Sequence, residues 1–277
     1  MKAAGTPRRL IVNADDFGRS QSINRAVIRA HREGVLTTAS LMVNEAGCSE
    51  AVALARENPR LGVGLHLTLL CGRSALAPGA IPGLVDADGR FSEHPARVGF
   101  RYYFQPKLRP QLVAEIDAQF QKFWATGLKL DHLNGHLHLH LHPAIFDILM
   151  ENAGRWGITH LRLTRDPFWL NAGLAPGRWR YRAAHAAIYS ALSLRARSAL
   201  RRRGIKHTQA VFGLLQNARV DEPYVLRLLP ALAPGDYELY SHPSLDEFKN
   251  ELDALASPRV RQLVEQLKIK LLRYQDL

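Results

Sequence analysis

Two adjacent carboxylates, Asp15 and Asp16, close the apolar run Leu10-Ile11-Val12-Asn13-Ala14. Carboxylates at the end of a buried strand cost desolvation energy unless something neutralises them. A divalent cation held by one would do so and leave the other as a base. The plainer alternative is a turn in which one aspartate caps the next helix. Further on, His136, His138, His140 and His142 alternate with leucines between Gly135 and Pro143. If that stretch is extended, His136, His138 and His140 share one face. Neutral imidazoles grouped in this way are common ligands for zinc and related metals, whereas a polar face without metal is the bland reading. Four histidines exceed what one ion needs, so some orient ligands, touch substrate or stand by. His66 lies in Gly62-Val63-Gly64-Leu65-His66-Leu67-Thr68, whose glycines let a ligand or another backbone approach closely. Alone, it reads as a satisfied core histidine. His242, in Tyr240-Ser241-His242-Pro243, follows a late apolar run.

One carboxylate with two histidines leaves coordination positions open for water and substrate, as catalytic sites do. Non-haem iron oxygenases use the same ligand set, so the ligands alone leave the reaction open. Asp15, as a spare carboxylate able to take a proton from activated water, tips the choice toward hydrolysis. His242 could then protonate a leaving amine, and Arg162 is a candidate for substrate contact or ligand support, as are His138 and His140. Asp16-Phe17-Gly18 also matches a kinase metal-binding tripeptide, but too few residues precede it for a nucleotide-binding lobe.

The elements that must position these residues alternate. Strands are expected at 9–14, 36–43, 61–70, 128–133, 158–163 and 237–240. Helices are expected from about Ser22 to Gly34, Ser49 to Asn58, from Pro110, over 143–156, 223–232 and 258–267. Ser257 is the expected N-cap of the last, with Pro258 at its first position. Residues 72–106, rich in Gly, Pro and aromatics, read as an extended loop or lid. Alternating strands and helices predict a parallel sheet covered by helices, hence an α/β fold. The chemical residues fall at the carboxyl ends of the strands, where barrel-like enzymes gather their catalytic groups. No repeat or low-complexity linker divides the chain, so one domain over 1–277 is expected.

Composition fits an ordinary globular protein, with 47% hydrophobic and 22% charged residues. The two cysteines, Cys48 and Cys71, have no CxxC partner, which argues against a disulfide framework or thiolate zinc site. Leu10-Ile11-Val12 is too short for a signal-peptide core and no stretch approaches a membrane span, so a cytoplasmic protein is expected. The net charge of +12 is concentrated: residues 165–206 hold ten basic residues and one acid, Asp166. Such a segment points to a local anionic partner, and the alternatives are a solvated basic helix or a lid. Nucleic acid is not expected, because no recognition motif or aromatic platform accompanies the charge.

Taken together, the chain resembles the YdjC-like carbohydrate deacetylase family. The resemblance rests on Ile11-Val12-Asn13-Ala14-Asp15-Asp16-Phe17-Gly18, Gly64-Leu65-His66-Leu67, residues 132–140 and Ser241-His242-Pro243, in the family's order. It implies a distorted (β/α) barrel, a divalent metal (Zn2+ or Mg2+) held by Asp16, His66 and His136, Asp15 as general base and His242 as general acid. Two departures touch the ligand surroundings: Gly135 stands where relatives often have serine, and Leu137 where they have histidine or glutamine. His138 is the main competitor to His136. Pro82-Gly83-Leu84-Val85-Asp86, Phe100 to Phe104 and the basic helical insert, about 165–207, are similar to a branch associated with hopanoid lipid biosynthesis. That similarity implies an N-acetylglucosaminyl hopanoid substrate, with soluble N-acetyl chito-oligosaccharides as the alternative. The insert would then meet an anionic membrane at its inner face, where each Lys or Arg contributes about 1 kcal/mol. Its weak apolar stripe, Tyr181, Ile188, Leu192 and Ala199, implies docking rather than insertion.

Overall fold

The structure, a computed structural model, describes residues 7–277, so the first six residues of the expected 1–277 domain lie outside it. Its elements in chain order are β1 (Arg8–Phe17), α1 (Gln21–Glu33), β2 (Thr38–Leu41), α2 (Cys48–Glu57), β3 (Gly62–Leu67), α3 (Pro95–Phe104), α4 (Arg109–Ala125), β4 (Leu130–Gly135) and α5 (Pro143–Glu151). There follow α6 (Phe168–Leu174), α7 (Trp179–Arg202), β5 (Ala210–Phe212), α8 (Glu222–Ala231), β6 (Gly235–Ser241), α9 (Lys249–Leu255), α10 (Pro258–Gln266) and β7 (Lys270–Leu272).

The last eight residues of β1 are buried, as a strand covered on both faces requires. β1 is the centre of a parallel sheet ordered β4-β3-β2-β1-β6-β5. On the β2 side, Asn13–Phe17 pair with β2 while Arg9–Ile11 pair with β7. Residues 159–165 join the two outer strands: Leu133 N donates to His160 O (2.9 Å), Leu161 N to Lys206 O (3.0 Å) and Val211 N to Arg165 O (2.9 Å). This curls the sheet into a distorted barrel with the helices outside it.

Local chemistry sets the helix ends. The Ser20 side chain accepts from Ile23 N at the start of α1, and Gly34 ends that helix with its amide on Ala30 O. Ser257 caps α10 with Pro258 in its first turn, as expected. Three expectations change. Residues 72–106 are not all loop, since 95–104 form α3. The 158–163 segment makes isolated bridges rather than a strand. The histidine run is not extended: His136–Leu141 forms 3-10 turns, with Leu137 (φ 48°) and His138 (φ 58°) left-handed. The reason is pairing. β3 ends at Leu67, opposite Gly135, so residues beyond 135 have no neighbouring strand to satisfy an extended backbone. β5, α9 and β7 are short elements that the periodicity does not announce.

Candidate metal centre

Asp16, at the end of β1, takes a left-handed conformation (φ 63°), uncommon and strained for a non-glycine residue. Its Oδ1 lies 3.2 Å from His66 Nε2 and 3.0 Å from His136 Nδ1, and the two nitrogens are 3.3 Å apart. Metal–ligand bonds of about 2.1 Å put neighbouring donors roughly 3.0 Å apart in octahedral geometry and about 3.4 Å in tetrahedral. The observed spacing fits that range. This is the one group of three or more such donors converging among the described residues, and all three side chains are buried.

The surroundings orient the donors. Asn134 Nδ2 donates to Asp15 Oδ1 (3.0 Å) and Ser40 Oγ (2.8 Å), so its Oδ1 is left to accept from His66 Nδ1 at 2.7 Å. His66 Nε2 therefore presents its lone pair to the centre. Arg19 pairs with Asp16 Oδ2 at 2.8 Å. β3 and β4 approach closely at Gly64, where a Cβ would stand 2.5 Å from the His132 ring. His132 in turn meets Ser40 Oγ (2.9 Å) and Asp131 (3.0 Å). At Gly135 a Cβ would meet the His140 Cβ and backbone nitrogen at 3.1 Å, a tight contact that a larger residue would relieve only by shifting His140.

Asp15 is held differently. Arg162, fully buried, grips both of its oxygens (2.6 and 2.9 Å), and Asn13 and Asn134 add amide donors to Oδ1. Burial alone would raise the Asp15 pKa, but the Arg162 guanidinium and the other charges hold it far below the usual carboxylate range. The same guanidinium reaches Glu238 Oε1 (2.6 and 2.9 Å), while Tyr274 OH donates to Glu238 Oε2. Burial likewise raises Asp16, and is outweighed by His136 and His66. His66 is lowered by burial yet net raised by Asp15 and Asp16. Arg162 thus answers Asp15 and Glu238 while Arg19 answers Asp16, so carboxylates outnumber guanidinium groups three to two, an excess that a divalent cation would more than offset.

The remaining expected residues separate. His138 Nε2 is 2.9 Å from Tyr240 OH and its Nδ1 3.4 Å from Thr164 Oγ1, so it lies outside the donor group. His140 Nε2 meets Arg162 O at 2.9 Å, and burial pushes its pKa down to about 3. His242 lies beside the donors with Nδ1 3.9 Å from Glu251 Oε2, and its backbone amide donates to the same oxygen. Asp15, His66, His136, His138 and His242 all line one cavity of about 210 Å³, completed by Tyr240 and by Tyr181, His185 and Tyr189 of α7. Larger hollows of about 710 and 680 Å³ lie at the amino ends of the strands, away from these groups.

Several site residues escape sequence reasoning. Glu238 carried the available signal, a charge inside an apolar run (Tyr237-Glu238-Leu239), as did Arg162, which sequence reasoning named (Leu161-Arg162-Leu163). Ser40, Asn13, Tyr274 and Glu251 carried none. The basic insert also differs from a free cationic surface. Arg182 is buried on the carbonyls of Ala175 and Gly177, Arg195 pairs with Asp147, and Arg203 binds Met150 O. Among the described residues no helix is long and apolar enough to cross a membrane.

A distorted parallel α/β barrel with a buried Asp-His-His donor group at the carboxyl ends of its strands defines the class. Residues 9–266 match the YdjC-like protein family, and the chain belongs to it. Among relatives, the carbohydrate deacetylase of Brevibacillus brevis is 44% identical over 150 residues, 54% of this chain and 57% of that protein. That of Geobacillus stearothermophilus is 40% identical over 151 residues, 54% of this chain and 58% of that protein. The chain's match thus spans rather more than half the length of these relatives. A solved Enterococcus faecalis protein, with a suggested role in cellobiose-phosphate cleavage, shares the fold: TM-score 0.74, 23% identity, 98% of this chain and 99% of that one.

Proposed function

We propose that this chain is a metal-dependent N-deacetylase of acetylated amino sugars, with Asp16, His66 and His136 as metal ligands. The observation that carries the reading is the convergence of three buried donors within 3.0–3.3 Å beside a separately held carboxylate, Asp15, on one cavity. The names of the relatives support the substrate class. A divalent cation there would supply Lewis acidity, polarising an acetamide carbonyl and acidifying water. Two imidazoles favour zinc over magnesium.

The protein's own groups divide the proton work. Asp15, fixed by Arg162 and two amides, receives a proton from the attacking water. The fixed orientation reduces the entropy cost of reaction. His242, steadied by Glu251, delivers a proton to the departing sugar nitrogen. Tyr240 and His138 lie side by side on the same cavity and hold its polar wall.

The finer substrate we propose is an N-acetylglucosaminyl group on a hopanoid lipid, from the branch the sequence resembles, with soluble chito-oligosaccharides as the alternative. Acetate release from each decides between them, and release from neither by metal-loaded protein would remove the deacetylase reading. Membrane contact through the insert would rely on exposed Arg197, Arg201 and Arg202, beginning about 24 Å along α7 from Tyr181. Co-sedimentation with anionic vesicles, lost in an Arg197→Ser/Arg201→Ser/Arg202→Ser variant, tests that part.

A further inference from the structure

Tyr181, His185 and Tyr189 stand at i, i+4 and i+8 on α7, one face of the helix, and all three line the cavity. The Tyr181 and His185 rings lie 3.8 Å apart and the His185 and Tyr189 rings 6.3 Å apart, the latter pair nearly parallel. The helix is tied down at two loops through this face. Tyr189 OH donates to Leu137 O (3.1 Å), one residue from His136, and Tyr181 OH donates to Leu214 O (3.3 Å), just beyond β5. His185 Nδ1 donates to Tyr181 O (2.8 Å), which leaves Nε2 as the ring nitrogen able to meet a ligand. The cavity so bounded, about 210 Å³, is smaller than the roughly 300–1,000 Å³ of pockets that enclose drug-sized ligands. Its inner part has room for about one pyranose ring.

We infer that the Tyr181-His185-Tyr189 face of α7 is the sugar-selecting wall of the site, holding a single acetamido ring and so confining action to a terminal residue. The inference rests on the deacetylase reading and deepens it. Flat aromatic edges and faces match the C–H surface of a pyranose, and His185 Nε2 can accept from a ring hydroxyl. An interior residue of a chain would need space on both sides of the ring, and the α7 side chains wall one side of the cavity. The insert thereby sets which sugar enters, while β1, β3 and β4 carry the reacting groups.

The test uses zinc-loaded full-length protein with octyl N-acetylglucosaminide for kinetics and the β-linked N-acetylglucosamine pentamer for position. Tyr181→Ala and Tyr189→Ala should each raise KM about tenfold with kcat changed less than about threefold, and the Phe variants should restore KM. Mass spectrometry of the pentamer should find deacetylation at a chain end alone. Unchanged KM in both Ala variants, or interior residues deacetylated as readily as ends, would overturn the inference while leaving the deacetylase in place. Calorimetric binding of the octyl glycoside separates the two readings. Binding by the parent that weakens in the Ala variants, without acetate release, would keep the wall and remove the deacetylase. A parent that neither binds nor hydrolyses the glycoside would remove both.

Discussion

Replacing Arg162 with methionine removes the guanidinium that joins Asp15 to Glu238 and strands both carboxylates in the interior. All three side chains are buried, and Arg162 makes four hydrogen bonds to the two acids at 2.6–2.9 Å. Breaking a buried ion pair from one side costs about 3–5 kcal/mol, a large part of a total stability of about 5–15 kcal/mol. With a urea m-value of about 1–3 kcal/mol/M, the unfolding midpoint should fall by about 1 M or more. Glu238→Gln added to Arg162→Met should recover part of the loss, because one stranded charge is gone while Tyr274 OH keeps a partner. Acetate release under native conditions should drop about 100-fold or more, since Asp15 loses both its hold and its charge balance. A midpoint shift below about 0.3 M for Arg162→Met would refute the reasoning about the buried triad.

Other outcomes follow from the same geometry. Asp15→Asn should keep bound metal and lose turnover, and loss of metal on elemental analysis would make Asp15 a ligand. His138→Ala should retain metal, because His138 bonds Tyr240 instead of the donor group; complete metal loss would reassign the third ligand. His140 is buried with its pKa at about 3, below the ordinary histidine value of about 6.5. The unfolded chain therefore gains a proton that the folded chain refuses. The stability penalty is absent above pH 6.5 and grows as pH falls toward 3, by about 1.4 kcal/mol per pH unit. His140→Gln should flatten the slope of stability between pH 6.5 and 5, and an unchanged slope would exclude His140 as its source.

The candidate site residues stood out as polar groups at or near the ends of apolar runs, where a parallel barrel exposes chemistry. That reading picked out Asp15 and Asp16, whereas His66 alone read as a core histidine and gained weight only beside the other groups. The histidine run was legible in content and not in shape, because alternation defines a face only when a neighbouring strand exists to pair with it. Arg162 was named without its partner: its grip on Asp15 spans 147 positions, and nothing in local pattern announces such a contact. Glu251, which steadies His242, lies on a seven-residue helix that periodicity cannot resolve from loop. The insert's charge was visible, and the sequence pointed outward from it. Much of that charge is instead bonded within the fold, and the face of α7 that lines the cavity is its aromatic one.

The most direct test of the central claim is acetate release from an N-acetylglucosaminyl substrate by protein stripped with chelator and reloaded with zinc or magnesium. The Asp16→Ala variant serves as control. Release that vanishes on stripping, returns with a stoichiometric divalent ion and is absent from Asp16→Ala is the expected result. Acetate release that persists after complete removal of metal, or undiminished in Asp16→Ala, would contradict the assignment of the Asp16-His66-His136 centre.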